Sequence, residues 1–194
     1  MTPSLLFLLL LLHPLSTLSS SGDLPPAFPR HTIRDAAPLS DGLVSFTGGK
    51  GNYRSMPREF LSSHNQVRST VGERPFVWDR QLARFAKRWA EKLRATCLME
   101  HSMGPYGENL FWGSGWGWRA TDAVSQWALE RDFYNPADNS CAAGEMCGHF
   151  TQIIWNSTVR IGCGRSECYG GGVIMTCNYD PPGNYVGENP LTAV

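Results

Sequence analysis

All six cysteines of this 194-residue chain lie between Cys97 and Cys177, so its covalent cross-links can fall only in the second half. An even cysteine count behind a secretory leader reads as three disulfides formed in an oxidising compartment. Spacing alone leaves the pairing open. A zinc–thiolate cluster is the rival reading, but Cys163 and Cys168 have no second Cys or His pair at ligand spacing after them. The leader itself is residues 1–20. Leu5–Leu12 is an unbroken apolar run, then come His13-Pro14 and small residues through Ser21. That order matches the apolar region and cleavage zone of a signal peptide, with Ser19 or Ser21 before the cut, although Lys and Arg are missing from its start. The run is too short for a bilayer, which needs about 20 apolar residues, and no later segment supplies a transmembrane span.

Residues 21–56 carry Pro25-Pro26, Pro29, Pro38, Gly48-Gly49 and Gly51 with little apolar periodicity, the composition of an arm or pro-segment. Leu43–Phe46 is its one short apolar piece. A folded domain is expected over 57–190, followed by a tail at 191–194. Seventeen basic against seventeen acidic side chains leave no net charge, so no strong field draws in nucleic acid or anionic membrane non-specifically.

Within the domain, residues 57–68 read as a helix with Pro57 in its first turn. Phe60, His64 and Val67 share one face of it, which places His64 as a core residue satisfied by backbone. Leu82, Phe85, Ala86, Trp89, Ala90 and Leu93 recur at helical spacing behind Asp79, a natural N-cap. Gly107–Trp112 is a short strand, and the Gly-rich stretch after it carries Trp116 and Trp118. A third helix is expected over Thr121–Tyr134, capped by Thr121, with Glu130 near its buried face, where a carboxylate needs a partner. Cys141 and Cys147 could close a small surface loop. Gly148–Trp155 reads as a short helix. Val159–Gly164 and Val173–Tyr179 flank Gly170-Gly171-Gly172 as an antiparallel hairpin, which would put Cys163 and Cys177 on neighbouring strands. The sum is an α+β fold with antiparallel strands.

Cys147–Gly164, CGHFTQIIWNSTVRIGCG, concentrates chemistry: His149, a tryptophan-ended apolar run, a sequon and two cysteines. A histidine held between half-cystines can bind metal, move protons or fill a polar pocket. Asn156-Ser157-Thr158 is a candidate N-glycosylation site at Asn156.

Four motifs, HNQVR (64–68), HSMGPYGENL (101–110), CGHFTQIIW (147–155) and CNYDPPGNYVGE (177–188), resemble the CAP superfamily of cysteine-rich secretory, antigen five and pathogenesis-related group one proteins. The resemblance runs from about Glu59 to Glu188 and is strongest to the plant pathogenesis-related group. It implies an α-β-α sandwich (the CAP or SCP domain) and disulfides Cys97–Cys168, Cys141–Cys147 and Cys163–Cys177. It also implies a cavity holding His101, Glu108, Glu130 and His149, a set that could take a divalent cation such as zinc or act as a hydrogen-bonded network. No cofactor is required by that reading.

For function, the resemblance implies a secreted, non-enzymatic plant defence protein, placed in the apoplast, that binds sterol or another lipid and acts against fungi or oomycetes. Trp112, Trp116 and Trp118 would serve either as a lipid-contacting rim or as ordinary core and turn aromatics. A secreted hydrolase working through the His/Glu cavity is one alternative, but the chain lacks a Gly-x-Ser-x-Gly elbow and a His-Glu-x-x-His helix. Another is a precursor whose C-terminal peptide, cut between Asp180 and Pro181, signals to a receptor. The family's usual terminal Pro-Tyr is replaced here by Pro190-Leu191 and three further residues. A pathogen or receptor protein is the partner class in that case.

Overall fold

The computed structural model describes Gly51 and residues 53–192. The leader and nearly all of the Pro/Gly-rich segment expected at 21–56 lie outside the described residues. Helix α1 (Met56–Ser69) opens the fold, then β1 (Val77–Trp78) and α2 (Arg80–Lys92). β2 (Gly107–Gly113), α3 (Ala120–Leu129), the pair β3 (Tyr134–Asn135) and β4 (Ser140–Cys141), and α4 (Gly148–Ile153) follow. β5 (Arg160–Glu167) and β6 (Val173–Asp180) close it. Among the described residues no helix is long and apolar enough to cross a membrane.

The main sheet runs β1-β5-β6-β2 and is covered on both faces. Along β6, Val173, Met175, Cys177 and Tyr179 join the core formed with α1, α3 and α4, whereas Ile174 joins Ala90, Leu93 and Leu110 on the α2 side. Period-two alternation therefore feeds two cores, and β5 and β6 are buried almost throughout rather than on one face. That arrangement is the expected α-β-α sandwich. α2 comes so close to the sheet that a Cβ at Gly162 or Gly164 would run into its backbone.

The three disulfides pair Cys97 with Cys168, Cys141 with Cys147, and Cys163 with Cys177. Cys163 and Cys177 stand directly opposite in the hairpin, 4.1 Å apart at Cα, as in the narrow, non-hydrogen-bonded pairs of an antiparallel ladder. The peptide groups of Cys163, Arg165 and Glu167 thus point away from β6. Gly51 lies against that outer edge: at its φ of +68° a Cβ would sit 2.7 Å from the Ser166 Cα, which only glycine avoids. Tyr53 joins it, its hydroxyl taking the Ala120 N–H and donating to Glu59. Packing therefore begins upstream of Pro57.

Other expectations shift in detail. Asp79 caps α2 as read, its carboxylate accepting from the Gln81 and Leu82 N–H groups. α3 instead begins behind Arg119, not Thr121, because Asp122 reaches back to the Arg119 N–H. It ends at Leu129, and Glu130–Phe133 tightens into a 3-10 turn. β5 runs three residues past Gly164, since Arg165 and Glu167 neutralise each other inside the sandwich at 3.1 Å. The strands are not all antiparallel: β1 pairs with β5 in parallel.

His64 is fully buried. Its Nδ1 meets the Phe60 carbonyl at 2.7 Å and its Nε2 the Tyr179 hydroxyl at 2.8 Å. Burial pushes this imidazole down to about 4, with the nearby Arg68 charge adding to the effect and the Phe60 carbonyl opposing it. The unfolded chain then binds the extra proton first, so stability rises with pH between the two values. We predict that this contribution is intact above about pH 6.5 and fades as pH falls to about 4, a loss on the order of 3 kcal/mol. Urea midpoints at several pH values should show a shallower acid slope for His64→Gln than for the wild type; equal slopes would contradict this.

Candidate functional site: two histidine–glutamate pairs

The four polar residues implied by the resemblance come together in twos. His101 lies in the loop after α2, and its Nδ1 is 3.0 Å from Glu108 Oε1 at the start of β2. The same oxygen takes the Ser102 N–H at 2.8 Å, and Glu108 Oε2 takes the Asn178 amide at 3.1 Å. Glu108 and Asn178 are cross-strand partners in the β2–β6 ladder, so register alone sets this contact. Glu108 is almost buried, whereas His101 is 54% exposed.

The second pair is tighter. Glu130, at the tightened end of α3, reaches the first turn of α4, where Oε1 meets His149 Nδ1 at 2.5 Å. Its Oε2 accepts the His149 N–H at 2.8 Å and the Phe150 N–H at 3.2 Å. One carboxylate thereby satisfies two donors at the start of α4 and orients the histidine beside them. The His149 ring stacks on Trp127, with centroids 6.1 Å apart and planes 18° from parallel. Trp127 in turn donates from Nε1 to the Leu110 carbonyl. The partner that Glu130 needed on its buried face is His149.

Asn109 donates to the His149 carbonyl at 3.1 Å, so both pairs hang on consecutive residues of β2. Neighbours on a strand leave it on opposite faces: Glu108 with Leu110 on the α2 side, Asn109 with Phe111 on the other. Each carboxylate spends its oxygens on its own imidazole and on N–H donors. With Nδ1 directed at a carboxylate, Nε2 is the nitrogen left to each ring, the arrangement by which carboxylates support histidine ligands. Among the described residues no group of three or more His, Cys, Asp or Glu side chains gathers as metal ligands.

The remaining candidates are spread out. Asn156 is exposed, its amide donating to the Glu73 carboxylate. Asp180 ends β6 in an ion pair with Arg160, and the Pro181 carbonyl accepts from Thr158. Trp118 folds onto Phe111, Trp112 is half exposed, and Arg165 grips the carbonyls of Trp116 and Trp118. These tryptophans do not line the apolar cleft. A cleft of about 340 Å³ lies instead at the end of α1 beside α4, lined by Val71, Tyr134, Pro136, Phe150, Ile154 and Leu191. Sequence reading missed the supports Asn109, Asn178 and Trp127. Gly-Glu-Asn facing Cys-Asn-Tyr across a ladder was the signal that could have found the first two.

The sequence profile of the cysteine-rich secretory protein family, CAP, matches residues 61–179. Pathogenesis-related protein PR-1 of Medicago truncatula is 54% identical over 155 residues, 78% of this chain and 90% of that protein. Pathogenesis-related protein 1C of Nicotiana tabacum is 47% identical over 133 residues, covering 69% and 79%. Among solved structures, venom allergen-like protein 4 of Schistosoma mansoni superposes with a TM-score of 0.57 at 26% identity, over 73% of this chain and 97% of that one. In sequence and in architecture, this chain belongs to the cysteine-rich secretory protein family, CAP.

Proposed function

We propose that this chain is a secreted plant defence protein that acts by binding, with a sterol or another lipid as its ligand and fungi or oomycetes as its targets. The cleft beside α4 carries the reading. Its apolar side chains suit a lipid body, Arg131 and Asp132 in its lining bring polar groups for a headgroup, and its volume falls near the small end of ligand pockets. The names of the plant relatives support the defence role. The leader and three disulfides support an extracellular, apoplastic site of action. An exposed Asn156 supports a glycan there, which the intact mass of the secreted protein would reveal and Asn156→Gln would remove.

Binding is favoured over hydrolysis because, among the described residues, no serine, threonine or cysteine side chain is hydrogen-bonded to either imidazole as a nucleophile would be. Ser102 meets Glu108 through its N–H, while its hydroxyl takes the Gly104 N–H instead of facing His101. A divalent cation such as zinc would meet one Nε2 at each pair, with that pair's glutamate as the support of its histidine. The signalling-peptide reading is the weaker one. After a cut at Asp180, the fragment would still be held by Gln152 at Gly183 and by Gly148 and Thr151 at Asn184.

The deciding experiment titrates the secreted protein with a fluorescent sterol and a fluorescent fatty acid, with chelator and again with added zinc. Saturable binding is expected, weakened about tenfold by Val71→Asp, which puts a charge at a partly buried position of the apolar lining. A zinc-dependent change in affinity would tie the histidine pairs to the cleft. No saturable binding under any condition would overturn the lipid reading and favour a pathogen or receptor protein as partner.

A further inference from the structure

A second pocket, of about 270 Å³, opens beside the Cys141–Cys147 loop and differs in character from the lipid cleft. Its walls include Tyr134, Ser140, Trp155, Asn184, Tyr185 and Glu188. We propose that it binds one neutral sugar unit, a hexose or an N-acetylhexosamine, of a polysaccharide chain.

Sugars present an apolar C–H face and a rim of hydroxyls that both donate and accept. The pocket supplies both complements. Tyr185 is 52% exposed and offers its ring to the C–H face, backed by the buried Trp155 ring 6.3 Å away and tilted by 60°. Ser140, Asn184 and Glu188 bring a hydroxyl, an amide and a carboxylate to the rim. Among the described residues, no side-chain hydrogen bond or ion pair engages the Glu188 carboxylate or the Tyr185 hydroxyl. Trp155 adds an observation of its own: it lines this pocket, and its buried indole N–H has no acceptor among the described residues.

Charge narrows the ligand. Among the described residues, Glu188 is the one charged side chain on the wall, with no Lys, Arg or His there, so uronates, sulfated sugars and phosphates would meet repulsion and no counter-charge. The amides and hydroxyls that line it disfavour an acyl chain, which would leave them unpaired. The walls are also held in place before a ligand arrives. Asn184 accepts from Thr151 at 2.7 Å and donates to the Gly148 carbonyl at 2.8 Å. Asn139 donates to the Glu188 carbonyl at 3.0 Å, and the disulfide closes the loop opposite. A rigid wall loses little freedom on binding.

The test uses the secreted protein with laminarihexaose, cellohexaose and chitohexaose as neutral probes and an oligogalacturonate as the acidic one, followed by calorimetry and amide NMR shifts. Saturable binding to at least one neutral probe and none to the oligogalacturonate is expected. Tyr185→Ala and Glu188→Ala are both exposed changes, and each should weaken that binding at least tenfold with the melting temperature unchanged. Lipid affinity should stay as in the parent, because the two cavities share only Tyr134. The assignment falls if no neutral probe binds, if the oligogalacturonate binds as well, or if neither substitution weakens binding.

Discussion

Arg68→Leu is expected to destabilise the protein by about 3–5 kcal/mol, a large part of the 5–15 kcal/mol typical of a folded domain. Arg68 is almost fully buried at the end of α1. Its Nε donates to the Arg74 carbonyl, its Nη1 to the carbonyls of Ile153 at 2.8 Å and Trp155 at 2.9 Å, and the guanidinium lies 4.1 Å from the Phe76 centroid. Glu73 stands 3.5 Å away as its counter-charge. Leucine would fill the space but leave three carbonyls without their donor and Glu73 without its cation. Each such buried acceptor costs about 1–3 kcal/mol. Burial pulls the Arg68 guanidinium down to about 10, so the cation carries a desolvation cost that the substitution recovers in part. The Ile153 and Trp155 carbonyls close the end of α4, next to the Ile154 side of the apolar cleft, so on the proposed lipid-binding reading the variant should also bind sterol more weakly below its melting range. Urea unfolding gives the stability change, and a loss under 1 kcal/mol would show that the site relaxes around the missing donor.

The second large effect is covalent. Replacing both Cys97 and Cys168 with alanine opens a cross-link that spans 71 residues and is expected to cost about 4 kcal/mol. The bond ties the segment after α2 to the end of β5, and Tyr169 next to it hydrogen-bonds the Arg94 carbonyl and lies under the Arg94 guanidinium. Cys141 and Cys147, only six residues apart, close a much shorter loop, so their removal should cost less. Chemical denaturation of the two double variants ranks them; equal losses would mean that strain or residual structure in the unfolded chain outweighs loop length.

Much of this architecture could be read from the chain because its signals are local. α2 shows a clean apolar stripe behind an aspartate cap, and the β5–β6 hairpin shows its glycine turn. Boundaries failed where distant partners decide them. Arg165 and Glu167 look like solvated charges, yet they pair inside the sandwich and carry β5 three residues further. β1 is only two residues long and exists because β5 lies beside it. Of the site, His149 and Glu130 stood out as chemistry placed among apolar neighbours. The pairing of His101 with Glu108 did not, since it depends on the β2–β6 register, which sets Asn178 across from Glu108. The capping of α3 turned on Asp122, a residue inside the helix that reaches back to the one before it.

The placement of Gly51 bears on how copies of this protein behave toward one another. β1 covers only the first two residues of β5, which leaves the peptide groups of Cys163, Arg165 and Glu167 along an open sheet border, the kind of border to which another chain's strand can add. Here the border is occupied: Lys87 takes the Arg165 carbonyl, Arg94 takes the Glu167 carbonyl, and Gly51 lies across the gap between them. Gly51 thus completes a cover that Lys87 and Arg94 begin, and a chain trimmed to start at Pro57 would keep those two but lose the Gly51 part of the cover together with the buried Met56.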